Sequence, residues 1–173
     1  SNADQALTDE LPVDVALGKV DYYEALGFVD DYMATQRVWY QLLNCGFRLP
    51  AGAGTDAMAN FASLRGPVGM NRVFVTTDGP LSQRTFLAGL KAGRSFATNG
   101  PLLGFTLSGR EIGSEIRLPA GSHTLTVRAT LRSIVPVDRF ELVANGGVVA
   151  TLPLSADRTS GTASLQVPID RSG

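Results

Sequence analysis

Two hydrophobic patterns divide the chain near residue 101. Before that point, short apolar runs alternate with segments of helical periodicity, a pattern typical of strands joined by helices in parallel βα units. After it, apolar and polar residues alternate between turn residues, as in antiparallel strands with one buried face. We therefore predict an α+β chain in two parts: a partial parallel α/β region, followed by an antiparallel β-sandwich-like module.

The first part carries the patterns of four strands. They are expected at residues 20–25, 47–53, 72–76 and 95–98. Residues 11–17 are ambiguous in their periodicity, but Pro12 suits the first turn of a helix and favours a short helix there.

Two longer helices are predicted between these strands. The first covers residues 36–45 with Thr35 as its N-cap, since a threonine hydroxyl can accept from a free N–H group of the first turn. Gly46 follows as the left-handed residue after its end. The second helix is capped by Ser82 and ended by Gly93, and three apolar residues are expected on its inner face: Phe86, Leu87 and Leu90.

Apolar and polar residues alternate strictly in the second part of the chain. One face of its clearest strand is apolar, with Leu125, Val127, Ala129 and Leu131. Asn145-Gly146-Gly147 separates two further runs and predicts a hairpin, because both turn positions tolerate positive φ. A last strand is expected around residues 163–167.

Composition limits what the protein can be. It has 173 residues, of which 44% are hydrophobic and 18% charged, with a net charge of −1. This is the composition of a folded globular protein, and the balanced charge argues against nucleic acid as a partner. No apolar run approaches the roughly 20 residues of a membrane-spanning helix. One cysteine and one histidine exclude an internal disulfide and any site within this sequence that needs two imidazoles.

Three segments are distinguished along the chain. Ser1-Asn2-Ala3 is typical of the remnant of a cleaved affinity tag. Residues 4–102 form the predicted α/β domain, and residues 103–173 form the predicted sandwich module, which ends abruptly after Ile169. We expect that module to be truncated, with a further closing strand missing.

The most informative polar residue is Asp56. It follows a predicted strand in a run of small residues, AGAGTDAMAN (51–60), at the strand end where α/β proteins bind ligands. A carboxylate there can coordinate a divalent cation. The alternative is structural, with Asp56 as the N-cap of a helix that begins at Ala57.

Other polar residues allow two interpretations each. A Gly/Pro-rich loop flanked by Arg65 and Arg72 either holds an anion or is a solvated surface loop. Asn99 lies in a turn, where it either donates to a substrate or only shapes the backbone. Asp21 and Glu24 lie on one predicted strand and are not expected to act as an acid/base pair.

The two residues with the strongest intrinsic reactivity are expected to be structural. Cys45 precedes a helix-ending glycine and is predicted to be a packed thiol. His123 is expected in an exposed turn at the start of a strand.

The chain contains three motifs in this order: GTDAMAN (54–60), RGPVGMNR (65–72) and FATNGP (96–101). With ELPVDVALGKVD (10–21), they make residues 10–109 resemble the C-terminal part of CehA/McbA-type metallohydrolases of the PHP superfamily. The second part resembles the β-sandwich appended to such proteins. This resemblance implies a piece of a distorted βα barrel with a multi-metal site at the strand C-termini.

The resemblance also implies roles for particular residues. Gly54-Thr55-Asp56 matches the family's Gly-x-Asp-x-His segment, so Asp56 is the metal-ligand candidate, while Met58 stands in the place of the histidine. The HxH ligands of the family are absent from this sequence. A divalent zinc, manganese or iron is therefore expected in the full-length protein and none in this chain alone. Substrate-lining roles are implied for Asn60, Arg65, Asn71, Thr98 and Asn99.

Two functions from different classes follow. The first is the C-terminal fragment of a metal-dependent hydrolase of esters, carbamates or phosphoesters, inactive in isolation, with a small-molecule substrate and no nucleic-acid partner. The alternative is a non-catalytic binding module whose β-sandwich binds carbohydrate or a surface partner. A bacterial cytoplasmic and an exported location are both compatible with the sequence.

Self-association is expected as well. Many aromatic residues lie in the first part, and a third of a barrel would leave open sheet edges and an uncovered apolar face. We therefore expect a homo-oligomer formed through the α/β part.

Overall fold

The computed structural model of the chain describes residues 10–27, 32–58, 60 and 66–170. It divides into two compact units, one up to Asn99 and one from Gly100 onward. The first unit contains three helices, α1 (Leu11–Ala16), α2 (Tyr32–Asn44) and α3 (Gln83–Lys91), and four strands, β1 (Tyr23–Leu26), β2 (Ala51–Ala53), β3 (Arg72–Val75) and β4 (Ser95–Thr98). The second unit is built of strands alone within the described part of the chain.

Helix α2 organises the core of the first unit. Val38 and Leu42 on this helix pack with Val15 of α1 and with Leu49, and all four side chains are buried. Trp39 adds a polar link, because its Nε1 donates to the Leu49 carbonyl at 2.7 Å. The predicted strand over 47–53 is therefore short: its first residues pack on α2, and pairing begins only at β2.

The sequence predicted a residue at each end of α2, Thr35 at the start and Gly46 after the end. Gly46 has a φ of 88° and ends the helix as expected. Thr35 lies inside the helix, so its prediction as the N-cap was wrong. Cys45, directly after the last helical residue, is exposed, so its prediction as a packed thiol was wrong.

Parallel pairing is limited to β1 and β2, in which Tyr23 lies opposite Ala51. Strands β3 and β4 pair antiparallel, with Arg72 opposite Thr98 and Phe74 stacked on Phe96. The prediction of mainly parallel strands was therefore wrong for this second pair. The described residues form a mixed α/β structure with mostly antiparallel sheets and no closed barrel.

The path of α3 explains the antiparallel pair. The connection after β3 leads away from the sheet, and α3 then returns the chain to the end of β3. Ser82 caps the helix as predicted, in a reciprocal capping box with Thr85. At the other end the Thr76 N–H donates to the Arg94 carbonyl at 2.8 Å. Strand β4 therefore starts beside the end of β3 and must run in the opposite direction.

Close packing holds α3 against β3. Leu90 is buried as predicted, whereas Leu87, expected on the same face, is 51% exposed. A methyl group at Gly89 would lie 2.5 Å from the Thr76 carbonyl oxygen and 2.6 Å from Cγ1 of Val75. Glycine is therefore required where the helix crosses the end of the strand.

The second unit contains a four-stranded antiparallel sheet with the order β10-β7-β5-β6. Its strands are β5 (Leu102–Leu107), β6 (Arg110–Glu111), β7 (His123–Arg132) and β10 (Ser160–Ile169). The predicted apolar face of β7 is confirmed, since Leu125, Val127, Ala129 and Leu131 are all buried.

A two-stranded sheet completes the second unit. It consists of β8 (Glu141–Ala144) and β9 (Gly147–Thr151), joined by the predicted Asn145-Gly146 turn. Both turn residues have positive φ, 52° and 77°, as this hairpin type requires. Phe140 before β8 and Leu152 after β9 pack into the core formed with β7.

No helix in the described part of the chain is long and apolar enough to cross a membrane.

We expect Gly89→Ala to destabilise the first unit by up to about 2 kcal/mol. Overpacking against a backbone carbonyl costs about 1–3 kcal/mol, more than the roughly 1 kcal/mol that alanine gains over glycine in a helix. Denaturant unfolding followed by the fluorescence of Trp39, the single tryptophan, measures the change. The control is Ala88→Gly, because Ala88 is the exposed neighbour on the same helix and its change measures helix propensity alone. A Gly89→Ala variant that is more stable than the unchanged chain would contradict the packing explanation.

Candidate functional site

Three strands of the first unit end close together. Strands β1 and β2 run in parallel and end with Leu26 opposite Ala53. Strand β4 begins beside the start of β2, because the Ser95 hydroxyl donates to the Ala51 carbonyl at 3.3 Å. At the far end, Thr98 of β4 lies opposite Arg72, the neighbour of Asn71.

Asn71 joins these strand ends through its side chain. Its Nδ2 donates to the carbonyl oxygen of Gly27, just after β1, and to that of Gly54, just after β2, both at 3.3 Å. Strand β4 therefore runs in the same direction as β1 and β2, and their carboxyl ends meet at Asn71. The sequence predicted a site at strand C-termini, and the structure brings the C-termini of these three strands together.

Thr55 fixes the backbone of Asn71. Its hydroxyl accepts from the Asn71 N–H at 2.9 Å and donates to the Asn71 carbonyl at 3.1 Å. Both residues are buried. The Thr55 hydroxyl therefore acts as both acceptor and donor, and it pairs with both backbone groups of Asn71. These two hydrogen bonds fix the segment before β3 against the segment after β2.

The amide oxygen of Asn71 has no such partner. Since Nδ2 must face two carbonyl acceptors, Oδ1 is turned the other way, and it is buried without a hydrogen-bond donor among the residues that the structure describes. A buried unpaired acceptor costs about 1–3 kcal/mol. The geometry therefore favours a donor from outside the described residues: water, an N–H or O–H group of a ligand, or a cation.

Glu24 is a site residue that the sequence interpretation missed. A Cβ on Gly54 would lie 3.1 Å from Oε2 of Glu24, and a Cβ on Gly27 would overlap Oε1. The two glycines therefore leave the room that the carboxylate occupies at the ends of β1 and β2. No local pattern in the sequence shows that these two distant glycines meet around one carboxylate. Asp21, by contrast, forms an ion pair with Lys91 at 2.7 Å.

Asp56 follows Thr55 at this edge. It is exposed and adopts a φ of 54°, which aspartate tolerates better than most residues. Residues 54–58 contain no helix, so the alternative that Asp56 caps a helix from Ala57 was wrong. It lies two residues after Gly54, the glycine that leaves room for the Glu24 carboxylate.

The other predicted substrate-lining residues differ in environment. Thr98 is buried at the end of β4, whereas Asn60 and Asn99 are exposed. Arg65 lies outside the described residues. The geometry therefore places Asn71 and Thr98 in the interior of the strand-end cluster, which we define as Glu24, Gly54, Thr55, Asp56, Asn71 and Thr98.

The donors of this cluster do not fit a complete catalytic metal site. Within the described ranges, no three histidine, cysteine, aspartate or glutamate residues are grouped so that they could hold a metal ion. Catalytic zinc sites use three protein ligands and a water. The cluster offers carboxylate, hydroxyl and amide oxygens and no imidazole or thiolate, so no reaction step can be derived through a metal here.

We expect Asn71→Ala to destabilise the first unit by about 1–3 kcal/mol, because two carbonyl groups at strand ends lose a buried donor. Thr55→Val should have a similar effect, since it keeps the shape but leaves the Asn71 N–H unpaired. Denaturant unfolding followed by Trp39 fluorescence tests both. The exposed Asn99→Ala is the matched control and should change stability by less than about 0.5 kcal/mol. Equal losses in all three variants would contradict a bridging role for Asn71.

Comparisons with protein-family models, with curated proteins and with solved structures give no match for this chain. What the site does is therefore inferred from its own geometry and from its sequence motifs.

Proposed function

We propose that the first unit supplies one side of the active site of a metal-dependent hydrolase, and that this chain by itself is inactive. Asp56 is the metal ligand that this chain contributes. The remaining ligands come from a part of the full-length protein that precedes these residues. The substrate is a small-molecule ester, carbamate or phosphoester, as the resemblance to CehA/McbA-type proteins implies.

The observation that carries this proposal is the buried Oδ1 of Asn71, left without a donor where the ends of three strands meet. Two carboxylates, those of Glu24 and Asp56, belong to the same strand ends. A buried acceptor oxygen without a donor favours a cation or the donor group of a bound ligand. Most buried asparagines without a ligand have both ends of the amide paired.

The residues of the cluster have separable tasks. Asn71 and Thr55 hold the strand ends at a fixed spacing, so that Asp56 is presented from a backbone that does not shift. Oδ1 of Asn71 can orient a bound water or a substrate N–H group by accepting from it. The metal would supply an activated water when bound in the full-length protein. The residues of the cluster would position the metal ligand and orient the bound water or substrate.

The substrate-lining residues are proposed from the resemblance. Thr98 is the buried cluster residue at the end of β4, and Asn60 and Asn99 are exposed on the segments that follow β2 and β4. Asn60, Asn99 and Arg65 are proposed to contact the substrate. Their amide and guanidinium groups can donate to the oxygens of a carbonyl or phosphoryl group.

The alternative of a carbohydrate-binding sandwich has less support. The outer face of the four-stranded sheet carries threonine, serine, glutamine and arginine along β7 and β10. None of the side chains on that face is aromatic, so the face lacks the flat rings on which sugars usually stack. A binding role for the second unit stays a prediction.

We expect the chain alone to bind Mn²⁺ weakly and to hydrolyse p-nitrophenyl esters and phosphoesters no faster than buffer. Asp56→Asn and Glu24→Gln should each weaken Mn²⁺ binding several-fold, as measured by electron paramagnetic resonance of free Mn²⁺. Asp78→Asn is the matched control, because Asp78 pairs with Arg94 at 2.8 Å on an exposed loop. Robust metal-dependent turnover by this chain would contradict the claim that it is inactive alone.

The protein encoded by the complete gene gives the decisive measurement. An HxH motif after a strand in its preceding sequence, with turnover that Asp56→Asn abolishes and Asp78→Asn preserves, is the expected result. A start codon just before residue 4, or a full-length protein that binds no metal, would favour the binding-module alternative instead.

A further inference from the structure

The two edges of the four-stranded sheet in the second unit differ in kind. At one edge, β6 consists of Arg110 and Glu111 only, and both are charged and exposed. At the other edge, β10 runs for ten residues, Ser160–Ile169, and contains no charged residue. Short, charged edges resist pairing with another chain, whereas long, uncharged edges favour it.

Hydrogen bonds at the start of β10 show which backbone groups face outward. The Thr159 carbonyl accepts from the Ser133 N–H at 2.8 Å, on the side of β7. Ser160 is turned the other way, and its carbonyl accepts from the Ser155 N–H at 2.8 Å. Because backbone groups alternate along a strand, the N–H and C=O groups that point away from β7 belong to Thr162, Ser164 and Gln166.

These outward groups have no strand partner within the described part of the chain, where β10 pairs only with β7. Thr162, Ser164 and Gln166 are all exposed. Pro168 also occupies an outward position, so its missing N–H removes nothing from the ladder with β7. The free edge therefore extends from Thr162 to Pro168.

We propose that this edge pairs with the same edge of a second copy of the chain, antiparallel and across a two-fold axis at Ser164. In that register Ser164 faces the partner's Ser164, and Thr162 faces the partner's Gln166. Facing residues with outward backbone groups exchange both hydrogen bonds, which gives about six main-chain bonds. The two four-stranded sheets become one continuous sheet.

The side chains of β10 suit this self-pairing. Directly opposed residues of an antiparallel pair project to the same face. Ala163 therefore meets the partner's Leu165, and both residues are half-buried against the core of the second unit. The apolar faces of the two sheets join without interruption.

Charge is also compatible with a second copy. No charged residue of β10 would lie opposite its own equivalent, which is the usual obstacle to pairing of identical edges. A two-fold dimer is the commonest homo-oligomer. This contact lies in the second unit, so it differs from the association through the α/β part that the sequence favours.

A proline substitution tests the edge without disturbing the sheet. Ser164→Pro removes an outward N–H and leaves the hydrogen bonds to β7, whereas the matched control Ser164→Ala keeps that N–H. We expect sedimentation velocity at tens of micromolar to show a dimer for the unchanged chain and for Ser164→Ala, and at least a tenfold weaker dimer for Ser164→Pro. Thermal unfolding of each variant confirms that it is folded.

A charge exchange identifies the register. Ser164→Lys and Ser164→Glu each place like charges face to face across the axis, so each variant alone should be monomeric, and an equimolar mixture should dimerise. Amide exchange of Thr162, Ser164 and Gln166 should slow as the concentration of the unchanged chain rises. A monomeric unchanged chain, or a dimer that survives Ser164→Pro and is lost only by changes in the first unit, would overturn the proposal.

Discussion

The strand ends of the first unit depend on a single side chain, the amide of Asn71. Strands β1 and β2 are only four and three residues long, too short to fix their own ends by pairing alone. The two hydrogen bonds from Nδ2 to the carbonyls of Gly27 and Gly54 close those ends, and Thr55 anchors the backbone from which the amide projects. The position of Asp56 follows from this arrangement, because it is the next residue after Thr55.

The same residue links stability to the proposed function. A buried asparagine with one end bonded twice and the other end unpaired is partly a structural bridge and partly an incomplete binding group. Small residues serve this arrangement, since Gly27 and Gly54 leave space for the Glu24 carboxylate. The cluster is therefore held by hydrogen bonds and close packing, although it lacks the ligands of a complete metal site. A site of this kind is consistent with one half of an active centre.

The second unit depends on β7 instead. This strand pairs along its length with β10 on one side and with β5 on the other, and its inward residues form the centre of the core. Gly161 of β10 lets Phe140 approach closely, because a Cβ there would lie 2.8 Å from the phenylalanine ring. The sheet is thus closely packed up to its last strand, and β10 keeps an uncharged edge that no other strand pairs with among the described residues. A packed centre and an open edge together make the proposed pairing of two copies possible.

Local signals in the sequence determined much of this structure. The Ser82 cap, the left-handed Gly46, the Asn145-Gly146 turn and the alternating face of β7 each depend on neighbouring residues, and all four predictions are confirmed. Such features follow from hydrogen bonds and side-chain periodicity within a few residues. The sequence also placed Asp56 and Asn71 among the candidate residues, through motifs rather than geometry.

Only the tertiary structure decided the rest. The direction of β4 against β3 depends on where α3 returns the chain, and the exposure of Leu87 depends on how that helix lies on the strand. The role of Glu24 required two glycines from different strands, Gly27 and Gly54, to meet around its carboxylate. The unpaired oxygen of Asn71 required the amide to be oriented by carbonyls that are distant in sequence. These are long-range contacts, and no local periodicity encodes which distant groups they bring together.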